Sequence, residues 1–193
     1  MKIAIIGKGH VGTALGSGLT RAGHEIRYGH RDPKEPVHDA AEWGDVIVLA
    51  IPYHAVPDAA GTIGSAADGK LLIDVTNALD RNGNLAIGCT TSAAEELQKM
   101  LPRAHVIKAF NTVFAPNQTS GKLGGEDLTA FIAGDDERSK ETAMRLARDI
   151  GFDPVDAGPL KSARYLEPMA LLLIELGYGL KMGTGIGYKL VRG

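Results

Sequence analysis

Short apolar runs alternate along this chain with longer stretches of helical period, punctuated by glycine and proline. Lys2–Ile6 is apolar after its lysine and stops at Gly7, the pattern of a parallel strand buried on both faces. Val11, Leu15 and Leu19 then recur on one face and predict a helix over His10–Ala22, closed by Gly23. Glu25–Tyr28 predicts a second strand, and Gly29–Pro36, with its two prolines, a polar turn. The β-branched run Asp45–Ile51, stopped by Pro52, predicts the third strand, Ala55–Ala67 a helix, and Lys70–Val75 the next strand, with Thr76 and Asn77 at its C-terminal end. Asn82–Thr91 reads as a loop. Ser92 with Glu95 has the spacing of a capping box for a helix running to Met100. His105–Ala109 predicts a strand ending at Phe110-Asn111-Thr112, Ser120–Asp127 a glycine-rich loop, Thr129–Ala133 a strand, Glu137–Ile150 a helix and Asp153–Asp156 a last short strand. Strands alternating with helices predict an α/β fold doubly wound about a mainly parallel sheet.

Past residue 160 the pattern changes. Met169–Leu176 is apolar nearly all round, which suits burial at a subunit interface, as in a homodimer, or under a lid, with Pro168 beginning or kinking the helix. Gly177, Gly179, Gly183, Gly185 and Gly187 follow at a spacing that argues against a stable helix and permits a flap or close backbone contacts. Residues 1–193 carry no repeat or linker that marks a boundary, so the chain reads as a single domain with residues 160–193 as a C-terminal extension. Trp43, just before the third strand, reads as core.

Composition narrows the function classes. Of 193 residues, 44% are hydrophobic and 23% charged, which is ordinary for a globular protein. A formal net charge of −2 recommends neither nucleic acid nor an acidic membrane as partner. Cys89 is the only cysteine, too few for an internal disulfide or a zinc site, and reads as a small packed residue. The N-terminal apolar run is too short for a signal-peptide core, and no stretch approaches the roughly 18 apolar residues of a membrane span. The expectation is a cytoplasmic protein.

One loop carries candidate chemistry. Gly7-Lys8-Gly9-His10-Val11-Gly12 is a G-x-G-x-x-G that follows a predicted strand and opens a predicted helix, the context that marks a Rossmann-type dinucleotide site. Gly7 allows the tight turn, Gly9 leaves room for the pyrophosphate, and Gly12 lets helix and strand approach. Phosphates would meet the free N–H groups at the helix N-terminus. The second strand ends in Gly29-His30-Arg31, where an NAD site usually carries Asp or Glu. Arg31 can grip a 2′-phosphate with its planar fork, and His30 and Lys34 could add contacts, so the cofactor expected is NADP(H). Asp32 lies one or two residues past the usual acidic position, and its place before Pro33 suits a turn residue.

Beyond the loop, the chain resembles the NADPH-dependent reductases of the deazaflavin coenzyme F-420. It is also similar to the cytosolic NADPH:flavin oxidoreductase domain of the six-transmembrane epithelial antigen metalloreductases. The resembling segments are Ile5–Gly12, Gly29-His30-Arg31, Leu49-Ala50-Ile51-Pro52, Asp74-Val75-Thr76-Asn77, Lys108–Thr112, and Asp156-Ala157-Gly158-Pro159-Leu160 with Ser162-Ala163-Arg164. The resemblance implies that Ala50, Ile51 and Pro52 line the cofactor ribose, and that Asn77, Asn111 and Val113 surround the nicotinamide and an acceptor ring, a flavin or coenzyme F-420. Asn111 departs from the histidine of the deazaflavin reductases and looks more like the metalloreductase version. The haem-bearing membrane half of those proteins has no counterpart in this sequence, so haem-mediated metal reduction is not expected.

Hydride transfer between two ring cofactors needs stacking at about 3–3.5 Å and no protein nucleophile. Accordingly no catalytic residue and no metal site is assigned. His10, His24, His38, His54 and His105 are scattered, and Ser92 lacks a nucleophile-elbow context. Tyr53 and His54 follow a strand end, where they either approach the nicotinamide or begin the next helix. Two other readings remain open: a module sensing the NADPH/NADP ratio without turnover, and a relative of the 3-hydroxyacid or imine dehydrogenases. The latter add a large helical domain, for which about thirty residues after Ala163 are too few.

Overall fold

A computed structural model of the chain describes residues 1–80, 82–88 and 90–193; Cys89, expected to be packed, lies outside the described residues. Elements in chain order are β1 (Lys2–Ile6), α1 (His10–Arg21), β2 (Glu25–Gly29), α2 (Val37–Trp43), β3 (Val46–Leu49), α3 (Val56–Ile63), β4 (Leu71–Asp74) and α4 (Ala93–Met100). There follow β5 (His105–Lys108), α5 (Ala115–Gln118), β6 (Lys122–Leu123), β7 (Glu126–Asp127), β8 (Thr129–Gly134), α6 (Glu137–Ile150), β9 (Asp153–Asp156) and α7 (Ala163–Ile174).

Seven strands form one sheet in the order β2-β1-β3-β4-β5-β8-β9. The first five are parallel, β8 runs antiparallel to β5, and β9 is parallel to β8. Alternate residues of each strand enter two separate cores, as a sheet covered on both faces requires. Ile3, Ile5, Val48, Ile73 and Ile107 meet Leu15 and Leu19 of α1 and Leu146 and Ile150 of α6. Ala4, Ile6, Ile47, Leu49, Leu72 and Val106 meet α2, α3 and α4 on the other face. The doubly wound α/β architecture expected from the alternation is therefore present.

Several local expectations are corrected. Gly29 ends β2, and residues after the Pro36 turn form α2 rather than running straight into β3. Its seven residues bury only Ala40 and Ala41, too little apolar periodicity to register in the sequence. Trp43 is half-buried, with Arg27 4.6 Å and Lys2 5.7 Å from its ring, so it serves as a cation–π platform rather than as core. The Ser120–Asp127 loop contains the two-residue strands β6 and β7.

Pro168 lies inside α7, not at its start, because the helix begins at Ala163. Leu166, Ala170 and Leu173 of α7 are buried within the chain, while Leu172 is 54% exposed. Beyond α7 a π turn, Glu175–Gly179, takes in two of the tail glycines, so a helical turn forms where none was expected. A side chain at Gly177 would strike the Phe114 ring and one at Gly187 the Leu128 side chain, so these glycines serve close packing. The tail is pinned by the amide of Thr129 donating to Tyr188 O at 2.9 Å and by the Tyr188 hydroxyl donating to Met169 O at 3.0 Å.

Candidate functional site

Parallel register sets the strand ends side by side: Ile6 opposite Gly29 and Leu49, Leu49 opposite Asp74, and Asp74 opposite Lys108. The strand order reverses between β1 and its neighbours, and a crevice opens there beyond the carboxyl ends, as in doubly wound sheets generally. Gly7 makes the turn out of β1 with φ +109°, and a methyl there would collide with the carbonyl of Ala50. Gly12 is equally constrained, because its methyl would strike Gly7 O. Gly9 differs: its φ of −82° suits any residue, and a methyl would meet nothing within 4 Å. Among the described residues no contact explains a glycine there, which leaves the space in front of this backbone open. Gly9 is also the N-cap of α1, without a side-chain cap and with no acidic residue in the first turn, so the free amides at this terminus are left to an incoming anion.

Two adjoining clefts run along these ends. The first, about 730 Å³, is lined by Gly7, Lys8, Gly9, His30, Arg31, Asp32, Ala50, Ile51 and Pro52, with Asp58, Ala59 and Thr62 contributed by α3. The second, about 570 Å³, shares Gly9, Ala50, Ile51, Pro52 and His54 with the first and continues to His10, Val11, Tyr53, Thr76 and Asn77. Tyr53 and His54 open the helical segment as a 3-10 turn and also line the second cleft. Together the clefts form one track from Arg31 to Asn77.

Charge around the first cleft is mixed. Arg31 is exposed and makes no ion pair among the described residues. Asp32 behaves as the turn residue its place before Pro33 suggested: its Oδ1 accepts the Lys34 amide at 2.9 Å. Lys34 itself is exposed outside the cleft lining. Lys8 pairs with Glu35 at 2.6 Å and lies over the Tyr28 ring; hydrogen bonding to Glu35 holds the Lys8 ammonium above its usual value despite some desolvation. The Lys8–Glu35 pairing has no local sequence signature.

Asn111 and Val113 line neither cleft. Both are buried, and the Asn111 Nδ2 donates to Leu166 O at 2.9 Å, tying the end of β5 to α7. The preceding Phe110 is buried with φ +63°, a strained conformation for a bulky residue, and Gln118 holds it by donating to Phe110 O and Val113 O. Thr76 Oγ1 and Asn77 Oδ1, at the wall of the second cleft, are buried with no hydrogen-bond partner among the described residues.

Behind that wall lies a cluster that sequence reasoning missed. Lys108 Nζ donates to Asp74 Oδ2 at 2.9 Å, to Thr76 O at 2.7 Å, and pairs with Glu167 Oε1 at 3.1 Å; all three side chains are at most 2% exposed. Asp74 Oδ1 accepts the Thr76 amide, and Glu167 accepts the Ala93 and Ala94 amides at the N-terminus of α4. Burial pulls the Lys108 ammonium down, but the two carboxylates more than offset it, so Lys108 is held above its usual value. The one available signal was a lysine closing an apolar strand opposite an aspartate closing another.

A mainly parallel α/β sheet whose first turn leaves open space at Gly9, continued by a track past Arg31, is the arrangement of dinucleotide-binding proteins. Sequence and structure comparisons place the chain among known proteins. The family described as NADP oxidoreductase, coenzyme F420-dependent, matches residues 2–78. The F420-dependent NADP reductase of Methanothermobacter marburgensis is 31% identical over 207 residues, covering 91% of this chain and 92% of that protein. Metalloreductase STEAP3 of Rattus norvegicus is 29% identical over 185 residues, but the chain spans only 37% of its length. A solved structure from an Arthrobacter species, proposed to be an F420-dependent NADP-reductase, superposes with a TM-score of 0.93 at 28% identity over 100% of both chains. This chain belongs to the F420-dependent NADP reductase family.

Proposed function

We propose that the protein is an NADP-dependent oxidoreductase that transfers hydride between NADP(H) and a deazaflavin, coenzyme F-420, or a flavin. The observation that carries this reading is the continuous track from Arg31 past Gly9 to Asn77, with room at Gly9 that none of the described residues fills. In this reading the amides after Gly9 take the pyrophosphate, Arg31 and His30 the 2′-phosphate, and Ala50, Ile51 and Pro52 the ribose next to the nicotinamide. Thr76 and Asn77 would flank the nicotinamide as part of the cleft lining, while Asn111 and Val113 support the site from behind rather than touching the rings. When bound, the cofactor supplies the hydride; the protein orients the rings and keeps water from between them. The name of the Methanothermobacter marburgensis relative favours the deazaflavin as acceptor, and the motif resemblance to the NADPH:flavin oxidoreductase domain keeps the flavin open.

The test is loss of NADPH absorbance with coenzyme F-420, with flavin, and with neither. Turnover with one acceptor supports the reading. Tight NADP(H) binding without turnover on either would favour the sensing module instead. The reading includes a cytoplasmic setting. It also includes a homodimer through the extension after residue 160, supported by the exposure of Tyr165, Leu172, Tyr178, Leu180 and Met182. Light scattering at two protein concentrations decides the dimer, and a mass of one chain at both removes it. Among the described residues no helix is long and apolar enough to cross a membrane.

A further inference from the structure

We propose that the buried Asp74–Lys108–Glu167 cluster is a fixed negative counter-charge for the oxidised nicotinamide ring, biasing the bound couple toward NADP+ and so toward hydride donation. The inference rests on the reading that the second cleft holds the nicotinamide. Its first support is the protonation pattern. Every oxygen of Asp74 and Glu167 accepts from an N–H group: Thr76 N, Lys108 Nζ, Ala93 N and Ala94 N. Four N–H donors thus converge on the two carboxyl groups, surroundings that suit a pair of carboxylates. The three protons of Lys108 Nζ are likewise used by Asp74, Glu167 and Thr76 O, so the lysine is charged. Two carboxylates and one ammonium leave a formal charge of −1 in a region closed to water, and the amides of α4 return only part of it.

Position is the second support. Lys108 and Asp74 grip the backbone oxygen and amide of Thr76, which with Asn77 forms the cleft wall, so the charge sits directly behind the surface a ring would face. Tyr53, across the same cleft, reports the field: desolvation raises its phenol first, and the carboxylates of Glu167, Glu96 and Asp74 raise it further. Loss of hydride from the C4 position of the reduced ring breaks the C–H bond with its electron pair, which passes to the flavin or deazaflavin and leaves the nicotinamide with one positive charge. A buried charge aimed where that positive charge develops needs no reorganisation and is little screened.

The experiment compares dissociation constants for NADP+ and NADPH, by calorimetry, across a charge series. Asp74→Asn and Glu167→Gln each bring the cluster to zero, and the double variant brings it to +1. For a separation on the order of 10 Å at an effective dielectric of about 20, each unit of charge should raise Kd(NADP+)/Kd(NADPH) about 10-fold, and the double variant about 100-fold. The triple variant Asp74→Asn/Lys108→Met/Glu167→Gln is neutral and should match the singles, not the double, although it carries more changes. A merely structural role would weaken both forms in parallel. A ratio within about 2-fold of wild type in folded variants, or a triple that behaves like the double, overturns the proposal. If the singles do not fold, the triple alone decides, since exchanging a whole buried ion cluster for neutral groups is often tolerated. If no variant folds, the wild type decides: NADP+ must bind more tightly than NADPH, and the reverse order overturns the proposal. Failure of the wild type to bind either form sinks the NADP reading itself, whereas binding with an unchanged ratio sinks only the counter-charge.

Discussion

Gly9 separates a fold requirement from a ligand requirement within one loop. Gly9→Ala adds a methyl that meets no atom within 4 Å, on a backbone at φ −82° that alanine adopts freely. Two small effects on stability oppose each other. Reduced freedom of the unfolded chain contributes about 0.4–1 kcal/mol, and loss of a favourable N-cap residue costs a similar few tenths to about 1 kcal/mol. The melting temperature should therefore stay within about 3 °C of wild type. Binding is another matter, because the methyl stands in front of the α1 amides. Overpacking a close contact costs about 1–3 kcal/mol, so NADP(H) affinity should fall roughly 5- to 150-fold. Gly7→Ala is the control: its φ of +109° and collision with the Ala50 carbonyl should lower stability itself by more than 1 kcal/mol. The assay pairs thermal unfolding with a calorimetric titration on each variant. Unimpaired NADP binding by Gly9→Ala would refute the placement of the pyrophosphate on this loop.

Arg31→Ala should weaken NADP binding about 10- to 100-fold while NAD binding barely changes, because a charge-assisted bond contributes about 1.5–3 kcal/mol; parallel losses in titrations of both cofactors would exclude a 2′-phosphate role. Lys108→Met leaves two buried carboxylates without their cation and should cost about 3–5 kcal/mol in urea unfolding, where a loss under 1 kcal/mol would mean the carboxylates had taken up protons at no cost. Glu95 is held below the ordinary glutamate value of 4.5, first by its paired hydrogen bonds from Arg164 and then by Ser92. Since its folded value is the depressed one, the stability it contributes is present above pH 4.5 and is lost as pH falls through the folded value. Arg164→Met should thus lower the melting temperature near neutral pH, with the difference from wild type shrinking below pH 4.5; a difference independent of pH would contradict the linkage.

The Ser92–Glu95 pair shows how far local reading goes. The spacing foretold the cap, and Ser92 Oγ does accept the Glu95 amide at 3.2 Å. What the spacing could not foretell is that Arg164, 69 residues away, takes the Glu95 carboxylate, which then accepts from the Ser92 hydroxyl instead of reaching back to the Ser92 backbone N–H. The same division runs through the site. Gly7 and Gly12 were legible because steric need at a tight turn is written in neighbouring residues, whereas Ala50, Ile51 and Pro52 were singled out only by the family resemblance. Lys34, Asn111 and Val113 sit in the expected segments, yet their side chains lie away from the clefts.

By itself, then, the sequence determined the doubly wound, mainly parallel sheet and the location of the glycine-rich turn at the end of its first strand. Only the tertiary structure decided that Lys108 closes β5 opposite Asp74 of β4, and that α7, starting at Ala163, delivers Glu167 to the same point. The physical reason is one of range. Backbone conformation and amphipathic period are set by adjacent residues, whereas a buried charge is tolerable only once its partners, 34 and 59 positions away along the chain (108 − 74 and 167 − 108), have been brought to it by strand register and helix packing.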